Sequence, residues 1–388
     1  MQEPSKVADR DIDIAGLSSA EAKAYQTFLQ NRRFGSLDGL RTVSVIAVIW
    51  HHCNQHVYGG ILSAGYTGVY LFFAISGFLI TTLLLREKAQ HGEISLRNFY
   101  IRRALRIFPL YYVVVLLYLL LILVMDRHSE GGAAYLHNLP YFLSYTSNWF
   151  IEVGSPKRIV FYHAWSLATE EQFYFLWPWV VRFSRSLRTP VVCMLVLLFA
   201  DQIGEQAVLR GFLTTDLLWV RMLTSIAAPI CMGCLYACLL HRPQGFRFAY
   251  RVLGHRLSVP FVTVLLLLLL QNPGPPHLLI NLTMATLVTA VCIREDHLLR
   301  PLLGNSVAQY IGMISYGIYL LHALPMSVAE RVLKISHPVV EFVLVLPLSI
   351  IGAALSYRLF ESPFLKRKAA FGGVVPAVAV ETPPRILR

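Results

Sequence analysis

The chain has 388 residues, 56% of them apolar and 14% charged, with a mean hydropathy of +0.55 and a formal net charge of +12. That composition excludes a soluble globular domain and leaves a polytopic membrane protein. The excess of positive charge is accounted for by orientation in a membrane and by attraction to anionic inner-leaflet lipids, with no call for nucleic acid.

Residues 1–36 are polar and read as a cytoplasmic segment. Within them Ser18-Ser19-Ala20-Glu21 is a capping-box pattern that predicts a short amphipathic helix running to Arg33. Residues 1–33 lack the apolar stretch of a secretory signal peptide, so insertion falls to the first span. Segments of about 20 apolar residues, enough to cross a hydrocarbon core of about 30 Å, follow near 38–57, 66–85, 107–125, 162–181 and 190–208. Five more lie near 219–240, 257–271, 277–293, 306–325 and 339–360. The expected fold is all-α, a polytopic helical membrane protein with about ten transmembrane helices.

Loop charge gives the orientation. With the N-terminus inside, the cytoplasmic segments hold 27 of the 34 Lys and Arg, leaving only Arg127, Lys157, Arg158, Arg210, Arg221, Arg331 and Lys334 outside. Short cytoplasmic loops concentrate Lys and Arg, so both termini are expected in the cytoplasm. Three regions follow: a cytoplasmic segment over 1–36, one membrane domain over 37–366, and a tail over 367–388 that reads as disordered, with Pro376, Pro383 and Pro384. No internal repeat is visible.

Ionisable residues inside spans are costly, and by default they mark function. Arg41 and His52 are eleven residues apart on the first span, which leaves them about 20° apart in azimuth and about 16 Å apart along the axis. They share one stripe, with His51 rotated about 80° from it. A neutral imidazole at His52 suits a general base acting on a hydroxyl; the alternative is a hydrogen-bonded histidine inside a bundle.

At the entrance of the third span stands Phe99-Tyr100-Ile101-Arg102-Arg103-Ala104-Leu105-Arg106-Ile107-Phe108-Pro109. Arg103 and Arg106 are neighbours on one helix face and present forked donors suited to phosphates, unless the cluster is simply an anchor for lipid phosphate. The fourth span opens with His163-Ala164-Trp165-Ser166-Leu167-Ala168-Thr169-Glu170-Glu171-Gln172-Phe173-Tyr174. Ser166 and Glu170 are one turn apart there, and Glu170 reads either as a catalytic or orienting carboxylate or as half of a structural ion pair, a part Glu171 could also fill.

Ile314-Ser315-Tyr316-Gly317-Ile318-Tyr319-Leu320-Leu321-His322 and Tyr357-Arg358-Leu359-Phe360-Glu361-Ser362-Pro363-Phe364 read as mainly structural, with His322 lining the outer half of a cavity. The aromatics Tyr141, Tyr145, Trp149, Phe150 and Tyr162 read as an interface belt. Cys231, Cys234 and Cys238 read as small packing residues, and no metal is expected.

Taken in order, these strings resemble the membrane acyltransferase-3 family, bacterial integral-membrane O-acyltransferases that decorate polysaccharides and other surface or secreted molecules. The resemblance rests on Leu37-Asp38-Gly39-Leu40-Arg41 with its spacing to His52, on Gly68-Val69-Tyr70-Leu71-Phe72-Phe73-Ala74-Ile75-Ser76-Gly77-Phe78-Leu79-Ile80, and on Phe99 to Pro109. It continues through Trp165 to Tyr174, Ser315 to His322 and Glu361 to Phe364, covering about residues 34 to 366. Thr169 stands where a valine is common and Leu321 where a tryptophan is common.

The resemblance implies a multi-pass protein of the bacterial inner membrane that moves an acyl group, acetyl first of all, from cytoplasmic acyl-CoA to a hydroxyl of a carbohydrate or glycolipid acceptor. It assigns catalytic roles to His52, Glu170, Arg41 and Ser166. The arginine cluster of Arg102, Arg103 and Arg106 would hold the phosphates of CoA, and Glu170 would orient His52. An acyl intermediate on His52 or Ser166 is equally compatible with the residues. A proton-coupled transporter of a small solute is the competing class, but no paired broken-helix half-repeats are evident.

Overall fold

A computed structural model describes residues 17–31, 33–54, 57–151, 160–272 and 276–371, and every regular element among them is helical. Helix α1 (Ser19–Gln30) starts where its capping box predicts. The Glu21 amide donates to Ser18 Oγ at 3.3 Å, and the Ser18 amide donates to the Glu21 carboxylate at 2.8 Å. Two amides that helix geometry leaves without partners are thereby satisfied.

Next come α2 (Gly35–Asn54), a 3-10 turn at Gly60–Tyr66 that leads into α3 (Thr67–His91), and α4 (Leu96–Leu121), prolonged by a π-helical turn at Ile122–Asp126. Then follow α5 (Glu130–Leu143), α6 (Ser147–Phe150), α7 (Ala164–Phe183) and α8 (Arg188–Leu209). Shorter helices make up the next stretch: α9 (Leu218–Thr224), α10 (Ala228–Leu240), α11 (Pro243–Leu253), α12 (Ser258–Gln271) and α13 (His277–Ile293). After α14 (Arg300–Leu303), α15 (Ser306–Met313), α16 (Ser315–Leu321) and α17 (Ala323–Arg331), α18 (Pro338–Ser356) runs through a π-helical turn at Tyr357–Glu361 into α19 (Ser362–Lys368).

Among the described residues each of the ten segments expected from hydropathy contains helix, but fewer than ten qualify as spans. Four runs are long and apolar enough to cross a membrane: Gly60–His91, Leu96–Asp126, Arg188–Leu209 and Pro338–Arg367. Three pairs qualify only together and are bent, α9 with α10 by 43°, α11 with α12 by 73°, and α15 with the Ser315–Arg331 run by 55°, for up to seven spans in all. The first of these bends precedes Pro229, whose missing N–H lets it begin a helix but not continue one. Helix α13 has 17 residues, and α2 and α7 carry the ionisable groups described below. The chain is a helical membrane protein. Residues 1–16 and the tail beyond Phe371 lie outside the described residues, as do Lys157 and Arg158.

Backbone contacts fix the helices around the site. On α3 and α10, a Cβ at Gly77 would stand 2.2 Å from the Ile230 carbonyl oxygen, and one at Gly233 would stand 2.3 Å from that of Ala74. A Cβ at Gly39 of α2 would meet the Leu303 carbonyl of α14 at 2.1 Å, and one at Gly312 of α15 would meet the Asp38 carbonyl of α2 at 1.9 Å. Only hydrogen fits at these four positions.

Helix α7 is pinned at its inner end as well. Lys88 donates to the carbonyls of Val181, Arg182 and Ser184 at 2.7, 3.0 and 2.5 Å, covering the unpaired C-terminal oxygens of α7 with positive charge. The aromatics near the outer face turn partly inward. Tyr145 and Phe161 are buried, and Tyr145 stacks on Tyr111 with ring centroids 4.3 Å apart. Cys231, Cys234 and Cys238 are buried and unbridged, and Cys234 Sγ lies 3.6 Å from the Gly77 carbonyl.

Candidate active site

Helices α2, α3, α4, α7 and α16 bring the ionisable residues of the distant strings into three levels. Arginines form the level at the Arg41 end of α2. Arg41 Nη1 donates to Asp38 Oδ1 at 2.7 Å, and Asp38 also takes Arg33 at 3.0 Å. Arg106 lies within electrostatic range of Arg41, Arg103, Glu361 and Asp38. Charges from α2, α4 and the π-helical turn that follows α18 thus act on one guanidinium. Glu361 itself accepts from Ser356 Oγ at 3.1 Å.

Arg103 and Arg102 part company because adjacent helical residues point about 100° apart. Arg103 lies over the Tyr174 ring, 4.4 Å from its centroid. Arg102 instead pairs with Glu87 at 3.1 Å and donates to the Phe371 carbonyl at 2.9 Å. The sequence groups three arginines; the structure brings Arg103 and Arg106 together with Arg41 and ties Arg102 to α3 and the C-terminal segment.

Glu170 occupies the middle level. Its Oε1 accepts short hydrogen bonds from Ser76 of α3 and from Tyr174 one turn along α7. Through the Tyr174 ring this carboxylate connects with Arg103. Among the described residues Glu170 makes no hydrogen bond to His52. The reason is depth: Glu170 lies seven residues inward of His163, about 10 Å along the α7 axis.

Ser166 is buried between the levels. Its Oγ lies 3.1 Å from the His163 carbonyl and 2.6 Å from the Tyr319 hydroxyl, and Tyr319 also donates to the His163 carbonyl at 3.0 Å. These bonds lace α7 to α16. On the next turn Tyr316 donates to the Ile107 carbonyl of α4 at 2.9 Å, close to Pro109, so Tyr316 and Tyr319 tie helices together as expected of them.

Histidines form the level at the other end of α2. His52 and His322 have ring centroids 5.0 Å apart with an interplanar angle of 32°, and His322 and His163 are 4.8 Å apart. His51 and Tyr162 complete the surround at 5.5 and 6.1 Å from His52. His322 Nδ1 lies 2.6 Å from the Tyr319 carbonyl, and His163 Nε2 is buried with no partner among the described residues. Among the described residues no hydrogen bond is seen between His52, His163 or His322 and a carboxylate, and no group of three or more His, Cys, Asp or Glu could hold a metal ion.

Sequence reasoning did not group His163 with His52 or recognise that Asp38 and Ser76 hold site residues. One signal was available: His163 heads the string that carries Ser166 and Glu170, and Asp38 shares the Arg41 string.

The fold and the site together define a helical membrane protein with a guanidinium cluster at one end of a bundle and an imidazole cluster at the other. Residues 34–358 match the model of the acyltransferase-3 family, described as an acyltransferase domain, and the chain belongs to that family. It is 28% identical, over 89% of its length and 59% of the relative's, to a provisionally named O-acetyltransferase of Staphylococcus aureus. It is 29% identical to the provisionally named peptidoglycan O-acetyltransferase YrhL of Bacillus subtilis, over 87% of this chain and 56% of that one. With the peptidoglycan O-acetyltransferase OatA of Listeria monocytogenes it shares 27% identity over 85% of this chain and 56% of that one. The chain thus spans a little over half the length of these relatives. No solved structure matches it significantly.

Proposed function

We propose that the chain is an inner-membrane O-acyltransferase that moves an acetyl group from cytoplasmic acetyl-CoA to a hydroxyl of a carbohydrate acceptor, such as a peptidoglycan sugar or a glycolipid. The observation that carries this reading is the pairing of two clusters on one bundle, Arg41, Arg103 and Arg106 at one end and His52, His163 and His322 at the other. Family membership and the O-acetyltransferase names of the relatives point the same way.

Under this reading, Arg103 and Arg106 take the phosphates of CoA, with Arg41 set by Asp38 beside them. Arg102 contributes charge from the flank. The donor's arm lies along the bundle toward His52, which takes the proton from the acceptor hydroxyl as that oxygen attacks the thioester carbon. Base catalysis of this kind is worth about 10² to 10⁴ in rate. Glu170 acts through Tyr174 and Ser76 to hold Arg103 and the α3–α7 contact, and Ser166 fixes the height of α16.

The test uses purified protein in lipid nanodiscs with radiolabelled acetyl-CoA, and the His52→Ala variant beside it. Release of free CoA by the native chain and its loss in the variant is the expected result. Failure of acetyl-CoA and of longer acyl-CoAs both to bind and to turn over would overturn the donor assignment.

A further inference from the structure

We infer that His322 is the positioning partner of His52, filling the place that a carboxylate takes in other histidine-based sites; this rests on the proposed acyl transfer with His52 as base. A histidine base needs a third group that fixes which of its nitrogens carries the proton. Glu170 is held by Ser76 and Tyr174 and sits about 10 Å deeper, so it does not serve.

His322 has the required chemistry. Its Nδ1 faces the Tyr319 carbonyl at 2.6 Å, and a carbonyl only accepts, so Nδ1 carries the hydrogen. In the neutral ring this leaves Nε2 bare and able only to accept. That ring lies 5.0 Å from His52, centroid to centroid. Two imidazoles sharing one N–H···N bond edge to edge have about that separation, a bond of about 3 Å plus a ring radius of about 1 Å on each side.

A rotation of His52 therefore places its N–H on His322 Nε2. The opposite nitrogen of His52 is then the bare one, presented to the acceptor. As the acceptor oxygen bonds to the acyl carbon, its proton passes to this nitrogen, the C–S bond breaks, and the electron pair leaves on the thiolate of CoA. The imidazolium shares its other proton with His322 while the charge persists. The first proton then goes to the sulfur, and both rings return to neutral. The chain Tyr319 carbonyl, His322, His52, acceptor is thus complete without a carboxylate. His163, 4.8 Å from His322 centroid to centroid, packs against that ring.

The experiment compares His322→Leu, His322→Gln and His52→Ala in nanodiscs, with acetyl-CoA binding and thermal unfolding as checks that each variant is folded. Glutamine keeps an acceptor oxygen for the His52 N–H; leucine keeps only bulk. The expected result is a kcat about 10²-fold down in His322→Leu, a KM for acetyl-CoA within about threefold of native, and a clear recovery of kcat in His322→Gln. Native kcat in His322→Leu, or equal loss in the leucine and glutamine variants, would overturn the positioning role. If His52→Ala itself keeps native turnover, the base assignment fails first, and that outcome is distinguishable from the other two.

Discussion

The Ser166 hydroxyl and the Tyr319 phenol stand 2.6 Å apart, and both reach the carbonyl of His163. Two hydroxyl protons serve three contacts, so the Ser166 oxygen is committed to a clamp between α7 and α16. A nucleophile needs a neighbouring base, and no imidazole bonds to this oxygen among the described residues. Ser166→Ala is expected to lower stability by about 1 kcal/mol and turnover by less than about tenfold. Mass spectrometry of protein quenched during turnover is expected to show no acyl group on Ser166.

The divergence of Arg102 from its neighbours gives a second expectation. Arg106→Gln removes the guanidinium that Arg41, Arg103 and Glu361 surround, whereas Arg102→Gln removes a partner of Glu87. Titration calorimetry with CoA is expected to show affinity reduced by about tenfold or more for Arg106→Gln, the loss of a charge-assisted bond. Arg102→Gln should weaken it several-fold less. Equal losses would place all three arginines on the same ligand.

Glycine contacts in the bundle set a third. Gly77→Ala places a methyl 2.2 Å from the Ile230 carbonyl oxygen, a distance that only a backbone shift relieves. Overpacking of this kind costs about 1–3 kcal/mol. A lowered unfolding temperature in detergent, with CoA affinity reduced in the fraction that stays folded, is the expected outcome.

The α1–α11 contact outside the spans is sensitive to acid. The Ser18 amide and then Arg251, at 2.8 Å, hold the Glu21 carboxyl below its ordinary value of 4.5. A group whose pKa is depressed by folding contributes stability above its unfolded value and loses it as pH falls through the folded one. The protection factors of the α1 amides, exchange rates corrected for the intrinsic rate at each pH, are therefore expected to be steady above the ordinary value of 4.5 and to fall as pH drops below it. Glu21→Gln is expected to lower those protection factors at neutral pH and to remove their acid dependence.

Much of this was legible in the sequence because burial and helical period leave direct marks. Helix fills most of each of the ten apolar segments, though four to seven rather than ten qualify as spans; the Ser18 capping box formed, and the Arg41 to His52 stripe does run from one cluster to the other. What escaped depends on rotation and depth between helices. Arg102 is adjacent to Arg103 in sequence but faces another helix, because one residue along a helix turns the side chain by about 100°. Glu170 was expected beside His52, but the depth of a residue on α7 relative to α2 is set by packing, which no single string records. The bends between α9 and α10 and between α15 and the Ser315–Arg331 run follow from short breaks that hydropathy averages over.

The glycine contacts of α3 with α10, and of α2 with α14 and α15, have one more consequence. Four positions where backbone meets backbone leave those helices little freedom to slide, and the rise of α2 itself sets Arg41 and His52 about 16 Å apart. Under the proposed reaction the scaffold acts as a ruler. A thioester carrier is used only if its arm matches that length, so donors with a truncated arm are expected to be bound at the guanidinium end and left unreacted.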